Sequence, residues 1–292
     1  MQMNQAAAEE DTVASRIRER MGDCSPAERK VARTLLAAYP VAGFETVAGL
    51  ADLAEVSGAT VVRFTARLGY SGFPDFQRAL RDELEQRSAS PSSLFARIEA
   101  DRPSRAGDLA SLADASVQDL RATFAGLSEH DLETALAAIA HPKRRIWAVG
   151  GRYSGFLAEY LAASLQQLRP AVRMVPEMAS LRAATLAEFD AKDVLIAFDF
   201  RRYESETNRL VRFAKARKST VIVITDKWAS PCSSDADSVL TSVTTERSPF
   251  DSAVPVLAII EVLFESLVAR IGTPARERME QVESTAQRLE LI

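Results

Sequence analysis

The segment TVAGLADLAEVSGATVVRFTARLG, residues 46–69, decides the fold of the first part of the chain. It holds two short amphipathic helical patterns on either side of a tight turn, which is the spacing of a helix-turn-helix. Ala51 is the small residue that allows two helices to cross, and Ser57 is placed as a helix N-cap. Val61 and Phe64 recur at helical spacing, so we expect them to face a core.

The second helix of this segment leaves one side free, and such a helix can enter the major groove of DNA. Residues 57–74 include two arginines and no acidic residue, so they form a local positive patch. Arg63 has the length to reach a guanine edge, whereas Arg67 is placed for the DNA backbone. An ordinary helical hairpin would show the same spacing, and the spacing alone leaves both interpretations open. The predicted DNA-binding residues, outward or at the edge, are Ser57, Ala59, Thr60, Val62, Arg63 and Arg67.

The composition is that of a soluble globular protein. A chain of 292 residues predicts two domains, since domains average roughly 150 residues. The net charge of −4 gives no overall attraction to nucleic acid, so DNA binding must come from a local patch. Cys24 and Cys232 lie far apart and are expected to be reduced thiols, and with His130 and His141 they form no metal-ligand spacing. We therefore expect no metal and no cofactor.

The chain is expected to be cytoplasmic. Its N-terminal residues lack the basic and apolar regions of a secretory signal. The apolar run at 253–271 carries Glu261 and Glu265 one helical turn apart, and a bilayer disfavours both charges. We interpret this run as a core helix with a polar stripe and expect no membrane partner.

Hydrophobic periodicity divides the chain into an all-helical part and an α/β part. Beyond the linker, short apolar runs alternate with helical patterns, which indicates βαβ units and a doubly wound parallel sheet. The candidate strands are 144–150, 171–176, 193–199, 220–226 and 238–243. The expected parts are a helix-turn-helix domain at 12–86, a linker at 87–107, an α/β domain at 108–272 and a C-terminal packing or dimer helix at 273–292. An apolar island at 94–98 is compatible with a short helix inside the linker.

The helix-turn-helix segment resembles the DNA-binding domain of the RpiR family of bacterial transcription regulators. That family carries Val-Ser-x-Ala-Thr-Val-x-Arg-Phe, then Leu-Gly and Gly-Phe-x-x-Phe. The matching residues are Val56 to Phe64, Leu68-Gly69, and Gly72-Phe73 through Phe76. The resemblance favours a helix-turn-helix over a plain hairpin. It also implies that the second domain is a sugar isomerase (SIS) domain, a doubly wound α/β domain that usually binds phosphosugars.

The turn VGGRYSG after the first strand resembles the Gly-x-Gly-x-Ser loop of SIS domains, with Gly150, Gly151 and Ser154 at the matching places. Glycines let backbone amides approach an anion, and a serine at a helix start can donate its hydroxyl. A plain tight turn would have the same sequence. The Ile-Thr-Asp end of the fourth strand, 224–226, also matches the family. The candidate ligand-binding residues are Gly151, Ser154, Asp199, Arg201, Arg202 and Thr225.

The third strand departs from the family pattern at FDFRRYESET, residues 198–207. SIS domains normally carry Ser-x-Ser-Gly-x-Thr there, whereas this chain has Asp199, Arg201, Arg202 and Glu204. Asp199 would repel a phosphate, but the arginines could hold an anion as bidentate donors. Three interpretations remain open. The arginines bind a different acidic metabolite, or Asp199 forms an ion pair with one arginine, inside the chain or at a dimer contact, and no ligand binds. The third is that the loop binds a phosphosugar in the usual way.

We predict a transcription regulator, not an enzyme, with no catalytic residue. Its expected partners are double-stranded operator DNA, a small anionic effector such as a phosphorylated sugar, and further copies of the chain in a homodimer or tetramer. One alternative is a SIS-type sugar phosphate isomerase with a helical appendage, and another is a regulator that has lost its ligand. Isomerisation needs a general base at the strand ends, where neither His130 nor His141 is placed.

Overall fold

The computed structural model describes residues 12–100, 109–245 and 247–291, and the chain divides after Ala89 into two compact units. Each unit contains its own hydrophobic cluster or clusters. The two units are described one at a time.

The first unit is helical throughout its described elements, as the periodicity predicts. A capping box starts its second helix, where the Ser25 hydroxyl accepts from the Glu28 backbone N–H and the Glu28 carboxylate accepts from the Ser25 N–H. Buried side chains from all five helices meet in one cluster, with Phe64 and Phe76 among the largest. The helices are α1 (Val13–Arg20), α2 (Pro26–Ala37), α3 (Val47–Leu53), α4 (Gly58–Arg67) and α5 (Phe73–Ser88).

Helices α3 and α4 form the predicted helix-turn-helix. The turn between them passes through Glu55, whose φ of 51° is in the left-handed region. Ala51 is buried at the crossing, and the Ser57 hydroxyl caps α4. Val61 and Phe64 are fully buried, so the inward side of α4 is the one that the spacing predicts.

Part of the predicted linker is helical. Residues Pro91–Ala100 form α6, and Leu94 of the apolar island is buried. The first two residues of that linker, 87–88, belong to α5, and 101–107 lie outside the described residues. The chain divides at 89/90, inside the expected linker.

The second unit is built on a five-stranded parallel sheet with the strand order β2-β1-β3-β4-β5. Each predicted strand is present, and its ends lie within two residues of the prediction. The strands are β1 (Arg145–Gly150), β2 (Val172–Met174), β3 (Asp193–Asp199), β4 (Thr220–Asp226) and β5 (Ser238–Ser242). The helices are α7 (Leu109–Gly126), α8 (Glu129–Ala140), α9 (Gly155–Leu168), α10 (Ala179–Ala187), α11 (Ser205–Ala216), α12 (Val254–Ile271) and α13 (Thr273–Arg288).

Helices cover both faces of this sheet, which makes it doubly wound as predicted. Side chains of α8, α9 and α12 pack with Ile196 and Phe198 of β3 on one face. On the other face, side chains of α11 pack with Leu195 and Ala197 of the same strand. All seven residues of β3 are therefore buried, which explains its unbroken apolar run.

The apolar run at 253–271 forms a core helix with an exposed polar stripe, as predicted. In α12, Leu263 and Leu267 are fully buried whereas Glu261 and Glu265 are exposed. Among the described residues, no helix is both long and apolar enough to cross a membrane.

The following helix, α13, packs against α9 near Ala275, and the Arg278 side chain donates to a backbone carbonyl of α9. Its role in a dimer stays a prediction.

Candidate functional site

The candidate ligand site lies where the strand order reverses. The connections from β1 and β3 lead to helices on opposite faces, so the loops after these two adjacent strands open a crevice between them. A cavity of about 420 Å³ occupies this position. Its walls come from the loop after β1, the loop after β3, and the segment between β5 and α12.

The loop after β1 is a close-packed turn that requires glycine. A Cβ on Gly150 would lie 2.6 Å from the backbone of Ser154, so no side chain fits there. The Ser154 hydroxyl accepts from the Gly151 N–H at 2.8 Å and donates to the Phe198 carbonyl at 2.9 Å. The hydroxyl therefore ties the turn to the end of β3, and its predicted donation to a ligand stays a prediction.

The next amide of the same turn is also bonded within the protein. The Arg152 N–H donates to Oε1 of Glu204 at 2.9 Å. A Cβ on Gly151 would lie 2.6 Å from that oxygen, so the Glu204 carboxylate rests directly on the glycine. Glu204 therefore holds the place beside the backbone where the sequence predicts an incoming anion.

Asp199 is buried and is bonded to groups other than the arginines. Its carboxylate accepts from the Ser230 hydroxyl and, at 3.2 Å, from the Glu204 N–H, with the Cys232 thiol 3.6 Å away. Burial raises the pKa of this carboxyl, although the bonds from Ser230 and Glu204 act in the opposite direction. Burial also raises the pKa of the Cys232 thiol, to about 12. Within one chain, the arginines pair with Asp251 and not with Asp199, whereas a pair formed between two copies of the chain stays a prediction.

Arg201 is neutralised by a residue that sequence reasoning missed. Its side chain is fully buried and forms an ion pair with Asp251, with Nε 2.9 Å from Oδ2. The Arg201 backbone N–H donates to Asp226 at 2.6 Å, and the guanidinium lies 6.0 Å from the centre of the Trp228 ring. The buried arginine thus fixes the loop after β3 to the segment that precedes α12.

That segment is anchored to α7. The Val243 N–H donates to the Thr123 hydroxyl at 3.0 Å, and the Thr245 hydroxyl donates to the Asp119 carboxylate at 3.0 Å. Asp119 also pairs with Arg247. These contacts hold the wall that carries Asp251 in place.

Arg202 is the arginine that faces the open part of the cavity. Its φ of 71° is unusual for a residue with a side chain, and its side chain is 30% exposed. The guanidinium lies 5.8 Å from the centre of the Tyr153 ring and 3.9 Å from Asp251. The Arg152 guanidinium lies 5.4 Å from the same ring, so two cations flank one exposed aromatic side chain.

Five of the six predicted ligand residues line the cavity, and Thr225 does not. Thr225 is fully buried, and its hydroxyl accepts from the Ser230 N–H at 3.1 Å. No sequence pattern indicates Phe250 and Asp251, because they reach the cavity from a separate loop. The predicted residues in the cavity walls are Gly151, Ser154, Asp199, Arg201 and Arg202.

The outward side of α4 matches the predicted DNA-binding surface with one exception. Ser57, Ala59, Val62 and Arg63 are exposed. Thr60 is only 5% exposed, which corrects the prediction that it points outward. Its hydroxyl pairs with the Ser57 hydroxyl at 3.0 Å and accepts from Arg63 at 3.2 Å, so it supports the helix start and orients the arginine.

Arg67 forms an ion pair within the first unit and remains partly exposed. Its Nε lies 3.2 Å from the Glu28 carboxylate, and the arginine side chain remains 43% exposed. Burial by itself raises the pKa of Glu28, but hydrogen bonds from Ser25 and Arg67 outweigh it and lower that pKa. Glu28 therefore stays ionised and joins the start of α2 to the end of α4.

Both histidines are exposed and lie outside the cavity walls. His141 precedes β1, at the opposite edge of the sheet, and its Nδ1 accepts from the Lys143 N–H at 3.2 Å. Cys24 and Cys232 are buried free thiols.

Both units match the models of known domain families. The helix-turn-helix domain of the rpiR family matches residues 12–87, and the SIS domain matches residues 139–266. The chain belongs to the RpiR family of transcription regulators. It has the helix-turn-helix and the SIS domain of that family, in the predicted order.

Relatives of this RpiR-family protein are named as regulators. YfhH of Escherichia coli, named an HTH-type transcriptional regulator, is 26% identical over 280 residues, which cover 94% of this chain and 98% of that protein. A regulator of Haemophilus influenzae is 25% identical over 235 residues, 80% of each chain. These names support a regulator rather than an isomerase.

Two solved structures share the fold at 23% identity. NanR of Vibrio vulnificus, solved in complex with ManNAc-6P, has a TM-score of 0.53 over 94% of this chain and 98% of its own. The sugar isomerase domain of an RpiR transcription factor from Sphaerobacter thermophilus has a TM-score of 0.55 over 60% of this chain and 97% of its own.

Proposed function

We propose that this regulator binds operator DNA through α4. The supporting observation is that α4 buries Val61 and Phe64 while it exposes Val62 and Arg63 on the other side. An exposed apolar side chain can contact a thymine methyl, and an arginine can bond to guanine O6 and N7. The N-terminal end of α4 suits a DNA phosphate, because the helix dipole places partial positive charge there.

The cavity in the SIS domain is the proposed sensor for a small anionic metabolite. Its position at the strand-order reversal suits a ligand, and Arg202 supplies a partly exposed cation. NanR, which shares the fold, was solved with the phosphosugar ManNAc-6P. Binding of the effector would change the operator affinity through a coupling free energy between the two sites.

A homodimer is the proposed assembly, because two recognition helices one turn of DNA apart would read a palindromic operator. The isomerase alternative gains no support from the cavity. Glu204 is held by the Arg152 amide, Asp199 is buried, and both histidines lie elsewhere.

The test of DNA binding is a charge substitution on α4. We expect Arg63→Ala to weaken binding to the DNA upstream of the gene by roughly 5- to 150-fold, since one bidentate base contact contributes about 1–3 kcal/mol. Fluorescence anisotropy of labelled DNA measures the affinity. The matched control is Arg209→Ala, which removes the same charge from the exposed surface of α11. Equal affinities for both variants and the parent would contradict the role of α4.

A further inference from the structure

The backbone amides that would hold a phosphate in the cavity are already bonded. The Gly151 N–H donates to Ser154, and the Arg152 N–H donates to Glu204. The Glu204 carboxylate also fills the space above Gly151, where the backbone is open enough for an anion. A phosphate at this turn would have to displace a negatively charged group of the protein.

The charges around the cavity disfavour a dianion further. Arg201 is paired with Asp251, so its charge is balanced. A phosphate monoester carries about −1.5 to −2 at neutral pH and would lie beside Glu204. Like charges at such short range repel strongly where water is partly excluded.

Arg152 and Arg202 both line the cavity and flank the Tyr153 ring, and Arg202 is placed to hold a smaller anion. The Arg202 guanidinium is 3.9 Å from Asp251, a distance that gives a weak pairing, and it borders the cavity. Its planar fork fits a carboxylate through two parallel hydrogen bonds. The left-handed φ of Arg202 is a strained conformation of the kind that recurs at ligand clamps.

Most of the remaining wall is apolar, and its hydroxyl-bearing side chains are Tyr153, Thr244 and Ser252. A sugar ring against the apolar part would leave hydroxyls there without partners, which is costly once water is removed. An apolar body would bury its surface there instead. The apolar side chains of the wall are Phe156, Leu157, Phe200, Phe250 and Val256.

We propose that the cavity takes a monocarboxylate with an apolar body, held by Arg202, and that Glu204 excludes phosphate monoesters. This inference rests on the proposed function, because it names the class of effector that the sensor would bind. Glu204 acts as a built-in anion that completes the turn after β1 and sets the specificity of the site.

The test is calorimetric titration of the full chain with phenylacetate, benzoate and hexanoate, with the corresponding amides as uncharged controls, and with glucose 6-phosphate. We expect at least one carboxylate to bind, its amide to bind at least tenfold more weakly, and glucose 6-phosphate to give no heat. Arg202→Gln should weaken the carboxylate at least tenfold, whereas Arg209→Gln should leave it unchanged. Glu204→Ser should gain binding of glucose 6-phosphate.

Tighter binding of glucose 6-phosphate than of every carboxylate by the parent chain would overturn this inference and leave the proposed function intact. Carboxylate binding that survives Arg202→Gln would also overturn it. If no probe binds while the same preparation still binds its upstream DNA, the inference fails together with the sensing role, and the DNA-binding role stands. Unchanged tryptophan fluorescence shows that the second unit of each variant is folded, since Trp147 and Trp228 both belong to it.

Discussion

At the scale of single residues, the turn after β1 depends on Gly150. A Cβ at this position would lie 2.6 Å from the carbonyl carbon and oxygen of Ser154 and 2.7 Å from the amide of Gly155, all of them backbone atoms. The start of α9 would have to move to make room. We expect Gly150→Ala to lower the free energy of unfolding by about 1–3 kcal/mol, as overpacking does.

The matched control for this prediction is Gly155→Ala, one turn away. Nothing lies within 4 Å of a Cβ at Gly155, and this residue is the first of α9. Alanine favours helix over glycine, so the stability should be unchanged or slightly raised. Urea unfolding followed by tryptophan fluorescence is the measurement, since Trp147 and Trp228 both belong to the second unit. Equal unfolding midpoints for the two variants would refute the steric argument.

At the scale of elements, one buried carboxylate joins the starts of β1 and β3. Asp193 accepts two hydrogen bonds of 2.7 Å from Arg145, one of 2.9 Å from the Trp147 indole and one of 2.7 Å from the Asp190 N–H. Burial by itself raises the pKa of Asp193, but these bonds outweigh it and lower that pKa. The ionised form is therefore the one that stabilises the fold.

Asp193→Asn should reveal this contribution. We expect the free energy of unfolding to fall by about 3 kcal/mol at neutral pH, the low end for a broken buried pair. The low end applies because the Arg145 side chain is 40% exposed and keeps water contact. Because the folded pKa is depressed, the stabilisation is complete above the unfolded pKa, near 3.9. It is lost as the pH falls through the lower folded value.

Urea unfolding of the parent and the Asp193→Asn variant at several pH values measures the difference between their free energies of unfolding. This difference should be largest near pH 7 and should decrease below about pH 4. Glu133→Gln is the control, since its pair with Arg270 is exposed and solvated, and it should change little. A difference in free energy of unfolding that stays constant with pH would contradict the stabilising role of the ionised Asp193 carboxylate.

At the scale of the whole molecule, local patterns predict the elements and leave the contacts between distant loops open. The strand β3 is predictable because both of its faces are buried and its seven residues form one apolar run. The bond from Arg152 to Glu204 joins the loops after β1 and β3, and the pair of Arg201 and Asp251 joins the loop after β3 to the segment before α12. No periodicity connects such residues along the chain.

The resemblance to the RpiR family located the cavity but not its chemistry. It assigns Ser154 and Thr225 to the ligand, whereas both hydroxyls bond to backbone within the protein. It also leaves Glu204 without a role, although this residue occupies the turn. A sequence that departs from a family motif shows that a site has changed, and only the packed structure shows which side chain fills the space.

Above all, we propose that this two-unit chain is a sequence-specific DNA-binding regulator. The most direct measurement is fluorescence anisotropy of the full chain on the DNA upstream of its own gene and on unrelated DNA, titrated with salt. We predict that the upstream DNA binds at least a thousandfold more tightly, with a salt dependence that reports several phosphate contacts. Weak and equal binding to both DNAs would contradict the account.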